Sequence, residues 1–327
     1  MDDLAVIVVS TNDAEWLTPC LSTVYAHAAD LRLDVVVADN ESTDGTAELI
    51  RDQFSAARVV PCRNLGFGHA NNRALLTCTA RYVLFLNPDT EILDGTLADL
   101  VALLDRRSRI GMAGVRQLTA DGALYPTIRH FPNALRAFGQ AIGSERFPVS
   151  PSALRERVLE ERVYDEEVSC DWMTGSFMLV RMEALQGAGI FDERFFMSSE
   201  ETDLAYRIKQ AGWQVVHLPQ MTILHHVHMG EPLGERMEAQ YAIASRQFAE
   251  KHLPAIHRAI YLVFLRLHYR IRLLRSFAPG HEAERPGARR ALRTLRGQEP
   301  PPFGPPPPAA VAPLGELVPR EPPVAPR

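Results

Sequence analysis

Short apolar runs alternate with helix-like periods over the first 115 residues. Apolar stretches at residues 4–9, 35–37, 58–60 and 82–86 are typical of buried strands. Between the first two, apolar side chains recur at the spacing of one helix face, from Trp16 to Tyr25. Strands that alternate with helices predict an α/β fold with a mostly parallel, doubly wound sheet.

Polar side chains follow the predicted strands at their carboxyl ends, where such sheets bind ligands. The sequence contains neither G-x-G-x-x-G after the first strand nor G-x-x-x-x-G-K-[ST], so dinucleotide and Walker-type phosphate loops are excluded. A glycine-containing stretch at residues 64–72 is weak evidence alone. The polar residues at these ends are Ser10, Thr11, Asn12, Asp39, Asn40, Asn87 and Asp89.

Three further elements each allow a structural and a chemical interpretation. Asp89 follows Asn87 and Pro88, a sequence that forms turns but also offers a carboxylate to a divalent cation. The acids at residues 200–203 suit the first turn of a helix, or a general base at its start. The histidine run at residues 225–228 suits either packing at a strand end or a metal ligand.

Composition narrows the class of protein. Apolar residues make up 46% and charged residues 23% of the 327-residue chain, which is typical of a globular protein. A net charge of −5 argues against nucleic acid as a partner. Four widely spaced cysteines predict reduced thiols and a cytoplasmic setting, and we expect neither a signal peptide nor a transmembrane helix.

The C-terminal region differs from the rest of the chain. Residues 253–278 predict a basic amphipathic helix, for which membrane-surface contact, packing on its own domain and subunit contact remain open. Fourteen of the 24 prolines fall in residues 279–327. This composition predicts a disordered, proline-rich tail, with a role as a docking ligand as the alternative.

Several short motifs occur together in a fixed order. They are V-S-T-N (9–12), A-D-N-E-S-T-D-G-T (38–46), N-L-G-F-G-H-A-N-N (64–72), F-L-N-P-D (85–89), D-W-M-T-G-S-F-M-L-V-R (171–181), G-I-F-D-E-R-F-F-M (189–197) and E-E-T-D-L (200–204). With the A-G-W sequence at 211–213 and the histidines from 225, the series resembles glycosyltransferase family 2, in its rhamnosyltransferase-like branch. The resemblance covers residues 4 to about 235.

The resemblance implies a GT-A fold in residues 1–252, with a nucleotide-sugar half (1–115) and an acceptor half (116–252). It also implies Mg²⁺ or Mn²⁺ at Asp89 and His225, and Glu201 as catalytic base, with Glu200 and Asp203 as fallback candidates. Trp172, Thr174 and Gly175 match the acceptor-site motif. The implied donor-binding residues are Ser10, Thr11, Asn12, Asp39, Asn40, Arg63, Asn64, Gly66, Asn71, Asn87 and Asp89.

The activity implied by the resemblance is inverting sugar transfer from a nucleotide-diphosphate donor, with dTDP-rhamnose as the expected donor. The implied acceptor is a glycan or a polyprenyl-diphosphate-linked sugar in cell-envelope synthesis. This places the protein in the cytoplasm, with peripheral contact at the inner face of the membrane. Two alternatives remain: a catalytically silent sugar-binding or scaffold protein of the same fold, and a nucleotidyltransferase.

Overall fold

The first strand, β1 (Asp2–Ser10), shows how the sequence builds the centre of the fold. In the computed structural model, which describes residues 2–147, 150–227 and 234–304, β1 lies between two parallel neighbours. Leu4, Val6 and Val8 face one apolar core, and Ala5, Ile7 and Val9 face the other. A strand buried on both faces has no polar side, which explains its continuous apolar run.

A nine-stranded mixed sheet extends outward from β1 in the order β3-β2-β1-β4-β10-β6-β11-β5, with β8 also paired to β11. Strands β1 to β4 are parallel, and β10 runs antiparallel to both β4 and β6. The remaining short strands, β7 and β9, form a separate pair. The strands are β1 (Asp2–Ser10), β2 (Leu33–Asn40), β3 (Arg58–Cys62), β4 (Ala80–Leu86), β5 (Thr90–Asp94), β6 (Ile110–Leu118), β7 (Ile128–Arg129), β8 (Val168–Ser169), β9 (Trp172–Met173), β10 (Phe177–Arg181) and β11 (Gln214–His225).

Helices cover both faces of the sheet and continue beyond it at the C-terminus. The predicted α/β class is therefore confirmed, and the four cysteines are free and buried. Among the described residues, no helix combines the length and the apolar character needed to cross a bilayer. The helices are α1 (Ala14–Ala26), α2 (Thr46–Gln53), α3 (Phe67–Leu75), α4 (Leu97–Arg106), α5 (Ala134–Ile142), α6 (Met182–Ala188), α7 (Glu200–Gln210), α8 (Glu235–His252), α9 (Ala255–Arg275) and α10 (Arg285–Leu295).

The two predicted halves share one sheet. The boundary placed after residue 115 falls inside β6, and β10 and β11 from the second half complete the sheet started by β1–β4. A division at 115 is therefore corrected: the acceptor half contributes strands to the nucleotide half. This interleaving brings side chains from both halves to the same edge of the sheet.

The start of the predicted tail also needs correction. Residues 285–295 form α10, which packs on α8 and α9 through small and apolar side chains. Gly287 lies so close to Glu238 of α8 that a Cβ there would be 2.8 Å from its Cγ. Further on, the Phe303 ring stacks on Phe196 at 4.2 Å. Residues 285–304 are thus packed on the rest of the protein, and the remaining part of the predicted tail, residues 305–327, lies outside the described residues.

Candidate active site

The carboxyl ends of the parallel strands bring the predicted donor residues to one edge of the sheet. Ser10 is in register with Asp39, and Asn40 is in register with Cys62, the residue before Arg63. Asn87 follows the last residue of β4, whose neighbour in the sheet is β1. Parallel pairing therefore places the first, second, third and fourth strand ends side by side, as the sequence predicted.

Hydrogen bonds between the strand-end loops fix this edge. The Asn40 amide donates to Thr11 Oγ1 at 3.2 Å and to Asn64 Oδ1 at 3.1 Å. Asp39 Oδ1 accepts from the Ser42 N–H at 3.0 Å, and Asn12 Oδ1 accepts from the Thr43 N–H at 2.7 Å. The Ser10 hydroxyl is buried without a partner among the described residues. These contacts join three of the predicted donor loops into one surface, with Arg63 and Asn64 exposed on it.

Two residues predicted to bind the donor have other surroundings. Asn71 is 1% exposed, and its amide donates to the Phe67 carbonyl one helical turn earlier, so it does not reach the cleft. Gly66 adopts φ 114° and lies against the Phe196 backbone, where a Cβ would be 2.3 Å from the carbonyl oxygen. Gly66 therefore allows a close approach between two loops and is itself buried. The roles of both residues in donor binding stay predictions, and in this structure each has a packing role inside the fold.

Asp89 and His225 meet at the end of the sheet. β5 starts at Thr90 and pairs with the last residues of β11, which puts His225 Nε2 3.4 Å from Asp89 Oδ1. Burial raises the pKa of Asp89, but the contact with His225 outweighs it, and the net pKa is lowered. His226 instead bonds Glu91 at 2.7 Å and stacks on Trp16, and His228 lies outside the described residues.

The donor set of this pair suits a divalent cation. Metal–ligand distances of about 2.0–2.2 Å let one ion contact two atoms that lie 3.4 Å apart. No cluster of three or more acidic, histidine or cysteine side chains that could hold a metal occurs in the described parts of the chain. A cation here would therefore take its other ligands from water or from a substrate's phosphate oxygens.

Two adjacent glutamates begin α7. The residues before them, Ser198 and Ser199, both adopt left-handed φ values of 71° and 70°. Such backbone strain is concentrated at functional sites. Glu200 is 4% exposed and Glu201 is half-buried, and each has a buried Oε2 without a hydrogen-bond partner among the described residues. A carboxylate oxygen left unpaired in this way is available to a substrate.

Burial shifts the two carboxyl groups unequally. Burial first, and then the charge of Glu201, raise the pKa of Glu200 well above its ordinary value. Burial also raises the pKa of Glu201, while N–H groups at the helix start and the charge of Arg129 oppose the rise. The pKa of both carboxyl groups is therefore raised, and only Glu201 has a nearby cationic side chain that opposes the rise. A base with a raised pKa suits proton transfer near neutral pH.

Asp203 is removed from the set of candidate bases. It is fully buried, with Arg207 at 2.8 Å and both Lys251 and His252 at 2.6 Å. Despite burial, these partners hold its pKa far below the ordinary value. An oxygen already bound by cations cannot take a proton from a substrate, so Asp203 stabilises the start of α7 instead.

One loop contacts both the segment that leads to Asp89 and the start of α7, which carries Glu201. The N–H of Asn87 donates to the Ser176 carbonyl at 3.0 Å. The preceding residue, Gly175, packs against Glu201, since a Cβ on Gly175 would be 3.8 Å from the Glu201 Cβ. The loop at residues 174–176 therefore contacts Asn87 on one side and Glu201 on the other, and a Cβ at position 175 would lie in ordinary van der Waals contact with Glu201.

The predicted acceptor residue Trp172 is enclosed by its neighbours in this structure. Trp172 is 7% exposed, its Nε1 donates to the His130 carbonyl at 3.0 Å, and Arg129 covers its ring at 5.7 Å. A ring so enclosed has no open face for a sugar. Thr174 lies two residues further on, and its N–H donates to the Thr127 carbonyl.

Three site residues had no signal in the sequence. Arg129 lies close enough to influence both Glu201 and the Trp172 ring, and its Nε is buried without a partner among the described residues. Tyr125 packs edge-on against His225 at 5.5 Å. Tyr241 from α8 is 41% exposed beside Ser198 and Glu201. Each reaches the site through a long-range contact, and none belongs to a recurring motif.

Comparison with known proteins matches this arrangement. The family model for glycosyl transferase family 2 matches residues 5–169. An N-acetylglucosaminyl-diphospho-decaprenol L-rhamnosyltransferase of Mycobacterium tuberculosis is 32% identical over 237 residues, covering 69% of this chain and 76% of that protein.

Solved structures support the GT-A fold. TarS of Staphylococcus aureus, in complex with UDP-GlcNAc, superposes with a TM-score of 0.55 at 17% identity, over 90% of this chain and 81% of its own. A mannosyltransferase of Pyrobaculum calidifontis, in complex with GDP-Man and Mn²⁺, gives 0.51 at 18% identity, over 92% and 77%. The predicted family, fold and enzyme class are confirmed. The chain belongs to glycosyl transferase family 2.

Proposed function

We propose that this protein transfers L-rhamnose from dTDP-rhamnose, with inversion, to a hydroxyl of a lipid-linked or glycan acceptor. The observation that carries the proposal is the position of Glu201, whose Oε2 is unpaired: the loop at residues 174–176 contacts both Glu201 and Asn87, two residues before Asp89. A base and a diphosphate-binding pair near the same loop suit a single displacement at the sugar's anomeric carbon.

In the proposed step, the acceptor hydroxyl attacks the anomeric carbon while Glu201 removes its proton. The new carbon–oxygen bond forms as the bond to the donor's diphosphate breaks, and the nucleoside diphosphate leaves with the electron pair. Burial and the charge of Glu201 raise the pKa of the adjacent Glu200, which disfavours a second negative charge in the cleft. A positioned base of this kind contributes about 10²–10⁴-fold to the rate.

The Asp89–His225 pair would hold Mg²⁺ or Mn²⁺ on the donor side. A divalent cation stabilises the charge that develops on the leaving diphosphate. Asp89 supplies a charged oxygen ligand and His225 a nitrogen ligand 3.4 Å away. Two protein ligands leave coordination positions for phosphate oxygens, which supports a cation shared between the chain and the donor.

On the acceptor side, we propose that Arg129 and Tyr241 replace Trp172 as the main contacts. The Arg129 guanidinium beside Glu201 can pair with an anionic group, as an acceptor carrying a diphosphate would present. The exposed ring of Tyr241 beside Glu201 can pack on a sugar face. The mycobacterial relative is named for a diphospho-decaprenol acceptor, which supports a polyprenyl-diphosphate acceptor here. This function would place the protein in cell-envelope synthesis, at the cytoplasmic face of the membrane.

A donor panel tests the proposal. Purified protein is incubated with a short-chain N-acetylglucosaminyl-diphospho-lipid and dTDP-rhamnose, UDP-glucose, UDP-N-acetylglucosamine or GDP-mannose, with Mg²⁺, Mn²⁺ or EDTA. We expect release of dTDP from dTDP-rhamnose alone, with loss of release in EDTA. Pyrophosphate as the product would favour a nucleotidyltransferase, and no product from any donor would favour a silent sugar-binding protein.

A further inference from the structure

Helix α9 is apolar on two opposite faces. Its inner face carries Tyr261, Leu265 and Tyr269, which are buried against the neighbouring helices. Its outer face carries large aliphatic side chains at helical spacing, with Ile256 74% exposed and Leu274 72% exposed. A surface helix of a soluble protein normally presents polar residues on this side. The outer residues are Ile256, Ile260, Val263, Ile271 and Leu274.

Helix α5 extends this apolar surface. Its exposed residues also lie on one side of the helix, and the Phe138 ring contacts Phe264 of α9 at 5.2 Å. The two helices therefore present adjoining apolar rows, which we name the α5–α9 face. Besides the outer residues of α9, the face consists of Leu135, Phe138, Ile142, Phe147 and Phe277.

Exposed apolar residues are concentrated on this face. Elsewhere in the described parts of the chain, the large hydrophobic side chains exposed to solvent are Leu93, Met197 and Tyr241. Single exposed apolar residues are ordinary, but a contiguous patch of them marks an interaction site. The α5–α9 face therefore needs a partner that covers it.

Arginines border the face on the α10 side. A groove between α9 and α10 is lined by Leu273, Leu274 and Leu292, together with arginines and no acidic residue. Within the described residues, Arg270, Arg289 and Arg296 form no ion pair, so their charge is available to a partner. These three are the groove arginines; a fourth arginine in the lining, Arg293, pairs with Glu299 at 2.6 Å.

We propose that the α5–α9 face docks on an anionic phospholipid bilayer, with its aliphatic residues in the acyl boundary and the groove arginines at the lipid phosphates. Apolar side chains beside unpaired arginines are the combination that binds such surfaces. A second copy of the chain fits less well, because a symmetric contact would bring the same arginines from both subunits together. The proposal rests on the proposed function, since a lipid-linked acceptor is embedded in that bilayer.

The connection to the site supports this choice of partner. β7 ends at Arg129, beside the catalytic base, and the chain then runs into α5 at Ala134. The N–H of Phe131, between them, donates to Asp171 next to Trp172. Docking through α5 would thus bring Arg129 and Trp172, on the acceptor side of the site, close to the membrane surface. The acceptor's diphosphate emerges from that surface.

Vesicle sedimentation tests the docking surface with the full chain. We compare phosphatidylcholine vesicles with vesicles in which about a third of the lipid is phosphatidylglycerol. The wild type should sediment with the anionic vesicles only. Binding should fall at least tenfold in Val263→Glu/Leu274→Glu and in Arg289→Glu/Arg296→Glu, whereas the controls Leu93→Glu and Arg106→Glu should bind as the wild type does.

Two results would overturn the docking proposal. One is equal sedimentation of the wild type and both double variants, and the other is a dimer in light scattering that Val263→Glu/Leu274→Glu converts to a monomer without any vesicle binding. Turnover separates this test from the proposed function. Val263→Glu/Leu274→Glu should keep activity on a water-soluble short-chain acceptor and lose it on a polyprenyl acceptor in vesicles. If the wild type binds vesicles but turns over neither acceptor, the proposed function fails and the docking surface stands.

Discussion

At the residue scale, the site depends on two neighbouring glutamates with different surroundings. Glu200 is almost fully buried and carries a strongly raised pKa, whereas the rise at Glu201 is opposed by Arg129 and the helix start. Two like charges this close do not ionise together, so their proton affinities separate. The half-buried member becomes the base, and the buried one stays neutral.

Replacing Glu200 by Gln should stabilise the protein at neutral pH. An unfolded glutamate ionises above pH about 4.3, while the raised pKa keeps folded Glu200 protonated. The unfolded state therefore gains stability as pH rises from about 4.3 towards the folded pKa, and Glu200→Gln removes that gain. Thermal unfolding should show a higher Tm for the variant at pH 7, by about 2–4 °C for each kcal/mol gained, and no difference near pH 4.

The exposed Glu48 provides the control for this measurement. Its side chain is 70% exposed on α2, so Glu48→Gln should leave Tm nearly unchanged at both pH values. If Glu200→Gln has a lower Tm than wild type at pH 7 but not at pH 4, Glu200 is charged in the folded protein.

Motifs in the sequence name individual candidate residues, but they do not report how deeply each residue is buried. Asp89, Glu201 and His225 follow from motifs, and the fold brings them to the cleft. Trp172 and Asn71 belong to motifs too, but neighbours distant in sequence bury both of them. Local patterns do not report such packing, which also explains why Arg129 and Tyr241 were missed.

At the element scale, the C-terminal end of α8 holds the start of α7 in place. Lys251 contacts both Asp192 and Asp203 at 2.6 Å, and His252 bonds Asp203 at 2.6 Å. Asp203 is only two residues from Glu201 in the same helical turn. The network therefore fixes the position of the base from a helix more than forty residues away.

Breaking this network should destabilise the protein at neutral pH and matter less in acid. The lowered pKa of Asp203 gives stability above its unfolded pKa of about 3.9, and this is lost as pH falls below that value. We expect Asp203→Asn to cost about 3 kcal/mol at pH 7, because it removes the carboxylate that Arg207 and Lys251 share and leaves Lys251 with Asp192 alone. Urea unfolding at pH 7 and thermal unfolding from pH 7 to 3 measure the two effects.

A surface ion pair on the same helix is the matched control. Glu250 pairs with Arg246 at 2.7 Å, and both side chains are about 40% exposed. Glu250→Gln should therefore cost about 0.2–1 kcal/mol. Equal losses in the two variants would show that Asp203 does not anchor α7.

Elements were predictable where hydrophobic periodicity is strong. The central strands and α9 coincide with their predicted ranges to within a few residues. Helix α10 was not predicted because arginines dominate its composition and the segments around it are rich in proline. Its packing surface consists of small residues, which give little hydrophobic periodicity. Gly287, Ala288 and Ala291 provide close contact with α8 rather than an apolar signal.

At the scale of the whole molecule, the segment from β7 to α5 connects the site with the α5–α9 face. The sheet edge carries the donor loops, the Asp89–His225 pair and Glu201, and the β7–α5 connection leads from Arg129 to the α5–α9 face. A transferase with a small soluble donor and a large lipid-linked acceptor needs such an arrangement. The donor can then enter from water while the acceptor arrives from the membrane.

Turnover of Glu201→Gln tests whether Glu201 is the catalytic base. The variant keeps the size and packing of the side chain but cannot take a proton. We predict that kcat falls by about 10²–10⁴-fold, that dTDP-rhamnose binds with unchanged Kd, and that Glu200→Gln stays within about tenfold of wild type because its carboxyl is already neutral. Near-normal turnover by Glu201→Gln with normal donor binding would contradict the assignment of Glu201 as the base.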